Sequence, residues 1–207
     1  MLPIETLVSF FTASLLLAAV PGPDNIFVLT QSALQGPRAG FVVTLGLCSG
    51  LVAHTTAVAI GVAAIFQTSA AAYMALKLLG AGYLLFLAWH AFRASAAKIT
   101  VDTKMRMPLL KLYRRGIIMN ITNPKVSIFF LAFLPLFADP ARGPIALQIM
   151  GLGVIFIFST ILIFSTVALV SGSVGQWLAR SEKAQKRMNT LAGIVFAALA
   201  LSLLIGR

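Results

Sequence analysis

Charged residues are scarce in this sequence, and acidic residues are scarcer still. Only 10% of the 207 residues are charged, and five of them are Asp or Glu, whereas a soluble domain carries about 25% charged residues. The single cysteine, Cys48, excludes an intrachain disulfide, a cysteine-based metal cluster and dithiol redox chemistry. By contrast, 59% of the residues are hydrophobic, and several apolar runs exceed the ~20 residues needed to cross a bilayer. The composition therefore predicts an integral membrane protein.

Six apolar segments predict an all-α protein with six transmembrane helices. The segments are Leu7–Leu34, Gly40–Phe66, Ala70–Phe92, Gly116–Phe137, Ile145–Val170 and Met188–Ile205. We expect them to form a single transmembrane transporter domain that covers residues 1–207.

Basic residues are concentrated in the three connections that would share one side of the membrane. They are Arg38, Arg93, Lys98, Lys104, Arg106, Lys111, Arg114, Arg115, Arg180, Lys183, Lys186 and Arg187, whereas the other side has Arg142 and Arg207. The positive-inside rule places the basic side in the cytoplasm, so both termini are predicted to face away from it. This distribution accounts for the net charge of +11 without a nucleic-acid partner. The basic connection could instead touch anionic lipid head groups.

The first segment is interrupted by Val20-Pro21-Gly22-Pro23-Asp24-Asn25. Proline removes a backbone donor and clashes with the preceding turn, so Pro21, Gly22 and Pro23 predict a helix break. Within a membrane, Asp24 is costly unless it is paired, hydrated or protonated. Broken helices with an ionisable group at the break form the binding sites of secondary transporters. The alternative is a signal peptide. Such a peptide begins with basic residues, whereas Glu5 is the only charged residue before the break.

A second interruption, Asn120-Ile121-Thr122-Asn123-Pro124-Lys125, resembles the first. Pro124 corresponds to Pro23 and Lys125 to Asp24, and other landmarks recur at spacings of about 100 to 110 residues. The pattern predicts two three-helix repeats (about 4–92 and about 116–206) around a cytoplasmic connection of about 93–115. Because each repeat has an odd number of spans, the second must be inverted, which places the substrate site at the interface between the repeats.

The candidate site therefore centres on Asp24 and Lys125, with Asn25, Asn120 and Asn123 at the same depth. A zwitterion would suit this set, since its ammonium could bind Asp24 and its carboxylate could bind Lys125. Asp24 could equally carry the coupling proton, in which case competition between substrate and proton would give antiport. The alternative is an ion pair that only fixes two kinked helices.

Two further ionisable residues lie within the predicted spans. His54 is either a structural hydrogen-bonding group or a proton carrier, and Lys77 either snorkels to the interface or belongs to the pathway. The Ser and Thr residues of the fifth span can bond within their helix, so no role is assigned to them. The glycine faces of spans 2 and 3 could pack within one protomer or form a homodimer.

An ordered set of motifs extends over the whole chain and resembles the LysE/RhtB family of amino-acid exporters. The motifs are Pro21-Gly22-Pro23-Asp24, Gly36-Pro37-Arg38-Ala39-Gly40, Gly46 to Gly50 followed by His54, Lys77 with Gly80–Leu84, and Asn123-Pro124-Lys125 running into Phe129–Pro135. Pro37 and Arg38 stand where the family often has a basic or polar pair, a mild departure at a loop.

The resemblance implies a secondary transporter that exports amino acids or close derivatives across the bacterial inner membrane, driven by proton exchange. Threonine, homoserine, its lactone, lysine, leucine and cysteine-pathway metabolites are substrates across that family. The resemblance implies no cofactor and no resident metal.

Three rival functions remain open at this point. An exporter of metal cations would need more ligands than one Asp, one His and one Cys within the spans. A membrane-embedded enzyme would need paired acids, a Ser/His pair or a metal cluster. A channel or structural subunit would show no saturation and no dependence on the proton gradient.

Overall fold

The structure is a computed structural model that describes residues 2–20, 22–68, 70–94, 106–171 and 181–205. The described residues are helical and contain no strand. The α-helices are α1 (Ile4–Ala19), α2 (Pro23–Gln35), α3 (Pro37–Thr68), α4 (Ala70–Arg93), α5 (Leu109–Ile121), α6 (Pro124–Ile128), α7 (Ile145–Val170) and α8 (Glu182–Ile205). A π-helical turn (Phe129–Phe133) and two 3₁₀ turns (Leu134–Phe137 and Pro140–Arg142) connect α6 to α7.

Both predicted helix breaks are present. The axes of α1 and α2 differ by 60°, and α5 differs by 50° from the segment Pro124–Phe137. Pro23 and Pro124 each begin the new helix, where a missing N–H costs nothing because the first N–H groups of a helix have no intrahelical acceptor. Pro21 lies outside the described residues.

Among the described residues, three to five membrane spans are found where six were predicted. Three described helices are long and apolar enough to cross a bilayer: α3 over Pro37–Gly61, α7 and α8. The count rises to five if each bent pair is one span. The predicted third span coincides with α4 but is not among these candidates. The structure is that of an all-helical protein with several membrane-spanning helices.

Glycines let α3 pack closely against α5. A Cβ on Gly46 would meet the main-chain oxygen of Tyr113, and a Cβ on Gly116 would lie 2.6 Å from the oxygen of Val43. On the next turn of α3, a Cβ on Gly50 would lie 2.7 Å from the Asn120 side chain. This part of the glycine face of span 2 therefore packs within the protomer, and it holds α5 and the second break in place.

Buried phenylalanines fill the space beside the second break. The ring of Phe129 lies 4.9 Å from that of Phe133 and 5.2 Å from that of Phe156 on α7. The π-helical turn that carries Phe129 is closed by Leu134 N–H, which donates to the Phe129 oxygen. Pro135 follows directly and has no N–H to continue the α-helix, which explains why regular helix ends here.

Candidate functional site

A small cavity lies where the two helix breaks meet. Three predicted site residues line it: Asp24 from α2, Asn120 from α5 and Lys125 from α6. The remaining lining residues are Leu17, Ala18, Leu51, Val126, Phe156, Thr160 and Phe164. Tertiary packing therefore brings together groups that lie about one hundred residues apart in the chain.

Asp24 is buried without a hydrogen-bonding partner for one of its oxygens. The residue is 4% exposed, and its Oδ1 has no hydrogen bond within the described residues. Asn120, Asn123 and Lys125 lie close enough to act electrostatically on its carboxyl group. A buried acceptor without a partner loses about 1–3 kcal/mol of solvation, so this oxygen is available to a ligand.

Lys125 does not form a direct ion pair with Asp24. Its Nζ instead donates to the main-chain oxygens of Val20 at 3.1 Å and of Leu17 at 3.4 Å. These oxygens belong to the end of α1, where carbonyl groups have no intrahelical donor and the helix dipole is negative. The side chain of the second break thus caps the helix that ends at the first.

Asn25 and Asn123 bond the main chain at the two breaks. Asn25 Nδ2 donates to Ala18 O at 2.7 Å, which ties the start of α2 to the end of α1. Asn123 is the N-cap of α6, and its Oδ1 accepts from Lys125 N–H at 3.0 Å. The other polar atoms of these two amide groups, Asn25 Oδ1 and Asn123 Nδ2, are buried and have no hydrogen-bonding partner among the described residues. The same holds for Asn120 Oδ1. Buried polar atoms normally find partners. The unpartnered oxygens of Asp24 and Asn120, which both line the cavity, therefore indicate a site for a ligand or water.

His54 contacts the second break, whereas Lys77 lies elsewhere. His54 Nε2 is 3.2 Å from Asn120 O, and the ring nitrogen must donate because a carbonyl oxygen can only accept. Lys77 is buried on α4 but is not among the residues that line the cavity. His54 is therefore joined to the predicted site.

Residues of α7 that were not predicted as site residues also line the cavity. Thr160, Phe156 and Phe164 form one wall of the cavity. Thr160 Oγ1 donates to Phe156 O at 2.9 Å, so its hydroxyl does bond within the helix as expected. The same hydroxyl oxygen keeps a lone pair for a ligand. Nothing in the sequence separates this residue from Thr166, which bonds its own helix in the same way.

The cavity offers a volume of about 20 Å³ to the centre of a water molecule. That volume accommodates about one water molecule and is far too small for an amino acid. Any larger ligand therefore requires movement of the surrounding helices or side chains. The described residues contain no group of three or more His, Cys, Asp or Glu side chains that could hold a metal ion.

Multiple apolar helices, two of them broken, with an acid, a base and amides at the breaks, are typical of membrane transporters. Comparison with known proteins identifies the group: the family model for LysE type translocators matches residues 15–207. The chain belongs to the LysE-type translocator family, which confirms the family predicted from its motifs. Members of this family are transporters, so the alternative of a membrane-embedded enzyme is excluded.

Several relatives match over nearly their whole length. An uncharacterized membrane protein of Vibrio cholerae serotype O1 is 29% identical over 194 residues, or 93% of each chain. The homoserine/homoserine lactone efflux protein of Salmonella typhi is 30% identical over 188 residues, covering 91% of this chain and 90% of that protein. The leucine efflux protein of Salmonella choleraesuis is 25% identical over 193 residues, covering 93% and 91%. No solved structure matches the chain significantly.

Proposed function

We propose that this protein exports amino acids or close derivatives from the bacterial cytoplasm across the inner membrane in exchange for protons. The names of two relatives, a homoserine/homoserine lactone efflux protein and a leucine efflux protein, support the direction and the substrate class. The observation that carries the proposal is the shared cavity of Asp24, Asn120 and Lys125. One acid, one base and amide groups together match the polar groups of a zwitterion.

In this proposal Asp24 binds the ammonium group of the substrate or a proton, but not both. Lys125 binds the carboxylate, and Asn120 and Asn123 complete the polar contacts. Asn25 and His54 act as positioning residues, because each bonds a main-chain oxygen at a break. Competition between substrate and proton for one carboxylate couples export to the proton gradient without further groups.

Alternating access would follow from two inverted three-helix repeats, the α1–α4 half and the α5–α8 half. The packing supports this arrangement. α3 packs on α5, and its counterpart α7 packs on α1. Helices at corresponding positions in the two halves also pack on each other: α3 packs on α7, and α4 packs on α8. Exchange of the two halves converts the first of these contacts into the second and leaves the last two unchanged, as a pseudo-two-fold axis would.

The proposed topology has six spans with both termini in the periplasm. Single cysteines at Ser95 and at Glu182, in a Cys48→Ser background, should react with a membrane-impermeant thiol reagent only when the cytoplasmic side is opened. Labelling of intact cells at either position would invert the topology.

A growth-protection screen tests the function. Bacteria that overproduce the protein are challenged with toxic concentrations of single amino acids, amino-acid analogues and metal salts, beside bacteria that carry Asp24→Asn. Asp139→Asn serves as the matched control, because Asp139 is an exposed acid whose carboxylate accepts from Arg142 Nε at 3.1 Å, away from the cavity. We expect protection against one amino acid or derivative, with the compound appearing in the medium.

The pattern among variants decides between the candidate functions. Protection should disappear in Asp24→Asn and persist in Asp139→Asn, with both proteins inserted in the membrane at wild-type levels. Full activity of Asp24→Asn would contradict the role of this carboxylate. Protection against a metal salt alone would favour a cation exporter, and transport without saturation or dependence on the proton gradient would favour a channel.

A further inference from the structure

The Lys125 ammonium group occupies a position that is built to hold an ammonium group. The main-chain oxygens of Val20 and Leu17 accept from it at 3.1 and 3.4 Å. The Asp24 carboxylate acts on it electrostatically and keeps one oxygen without a hydrogen bond within the described residues. Two carbonyl oxygens at a helix C-terminus and a carboxylate form a set of acceptors only, which suits a cation that carries three donors.

This position opens onto the cavity between the breaks. Leu17, Asp24 and Lys125 all line that cavity. A substrate that enters it meets the acceptors that Lys125 now uses. Because the cavity holds about one water molecule, substrate binding must displace a group of the wall, and Lys125 has more rotatable side-chain bonds than any other lining residue.

Gly22 leaves room for the end of this side chain. A Cβ at Gly22 would lie 3.3 Å from Lys125 Nζ and 3.7 Å from Cε, which is tight for a nonbonded contact. Glycine at this position therefore lets the ammonium group lie close to the backbone at the first break.

We propose that the main-chain oxygens of Leu17 and Val20, together with the Asp24 carboxylate, form the binding site for the substrate's ammonium group, and that Lys125 occupies this site when substrate is absent. Substrate displaces Lys125, whose ammonium group then binds the substrate carboxylate. This inference rests on the proposed export of amino acids, and it adds the backbone ligands and a competing internal cation. By moving, the Lys125 side chain thereby both vacates the ammonium site and becomes the partner of the substrate carboxylate.

The test is to remove the internal ammonium group and supply a free one. Purified Lys125→Ala protein in detergent is unfolded by heat with and without methylammonium chloride, with sodium and potassium chloride at matched ionic strength as controls. Wild-type protein and Lys111→Ala, which removes an exposed lysine on α5, are treated alike. We expect methylammonium at ten times its dissociation constant to raise the unfolding midpoint of Lys125→Ala by about 3 °C or more, and to leave the other two unchanged.

Several outcomes would overturn the proposal. An unchanged midpoint of folded Lys125→Ala would show that no ammonium site has been vacated, and equal rises in all three proteins would show a nonspecific salt effect. A response to sodium as large as that to methylammonium would assign the site to metal cations. If Lys125→Ala does not fold, Lys125→Ser vacates the same position and is scored by the same criteria.

A double variant identifies the third ligand. Asp24→Asn combined with Lys125→Ala should lose the response to methylammonium, whereas a full response would remove Asp24 from the site. The binding test is independent of transport. A methylammonium response in a protein that exports no amino acid would therefore refute the proposed function while leaving the ammonium site in place.

Discussion

The two helix breaks share their proline placement but are held together differently. At the first break, the carbonyl oxygens at the end of α1 receive their donors from side chains of other helices, Asn25 and Lys125. At the second break, Asn120 O accepts from the main-chain N–H of Asn123 at 3.1 Å, and the Asn123 side chain caps α6. His54 Nε2 also donates to Asn120 O from another helix.

This difference makes the first break dependent on the second. A helix end capped by its own sequence neighbours keeps its geometry when the surrounding helices move, whereas one capped from about one hundred residues away does not. Movement of Lys125 therefore changes the end of α1 at once, while α5 and α6 remain joined by local bonds. In the proposed export mechanism, such a link would let both breaks respond to one substrate.

The largest expected effect comes from removing the link. Lys125→Met leaves the Leu17 and Val20 oxygens without their donor and Asp24 without its neighbouring cation, whereas Lys77→Met changes a residue outside the cavity. We expect initial rates of amino-acid efflux to fall at least about tenfold further in Lys125→Met than in Lys77→Met, equivalent to about 1.4 kcal/mol. Efflux from preloaded cells, corrected for membrane levels, measures this. A larger loss of efflux in Lys77→Met than in Lys125→Met would indicate that the substrate site lies near α4 instead.

A smaller effect should follow from disturbing the contact between α3 and the second break. In Gly50→Ala the new Cβ would lie 2.7 Å from Asn120 Cβ and Oδ1, and overpacking of this kind costs about 1–3 kcal/mol. Gly61→Ala on the same helix is the control, because a Cβ there meets open space. Thermal unfolding should show a lower midpoint for Gly50→Ala alone. Equal midpoints would mean that α5 is free to shift.

Substitution of one asparagine at each break compares how strongly the two breaks depend on a side-chain hydrogen bond. Asn25→Ala leaves the buried Ala18 oxygen without its side-chain donor, which should lower the stability by about 2 kcal/mol. Asn123→Ala removes an N-cap, which should lower it by about 1 kcal/mol. We expect the unfolding midpoint of Asn25→Ala to lie about 2–4 °C below that of Asn123→Ala. If the order were reversed, the second break rather than the first would depend more on its side chain.

The smallest effect should come from His54. Asn120 O keeps its bond from Asn123 N–H when the imidazole is removed, so His54→Leu should cost about 1 kcal/mol, and His54→Gln, which retains a donor, should cost less. Unfolding midpoints and efflux rates are measured together. Loss of export in His54→Leu without loss of stability would make His54 a pathway residue instead of a positioning residue.

Much of the architecture could be predicted from residue order. Proline and glycine dictate local backbone geometry, so Pro23 and Pro124 located both breaks, and the matched positions of Asp24 and Lys125 predicted groups that line one cavity. The role of α7 could not be predicted in this way, and residue order left open whether His54 is a structural hydrogen-bonding group or a proton carrier. Thr160 has the same chemistry as Thr166, and only the rotation of α7 against its neighbours decides which of the two faces the cavity.

By itself, the sequence determined the family, the membrane environment, the helical class and the two breaks, because apolar content and proline act locally or through composition. The tertiary structure decided which atoms meet. Lys125 could be expected near Asp24, but its hydrogen bonds go to the oxygens of Leu17 and Val20, since a flexible side chain binds whichever acceptors the packing presents. Carbonyl groups are the same in every residue, so no sequence pattern marks the ones that a helix end leaves open.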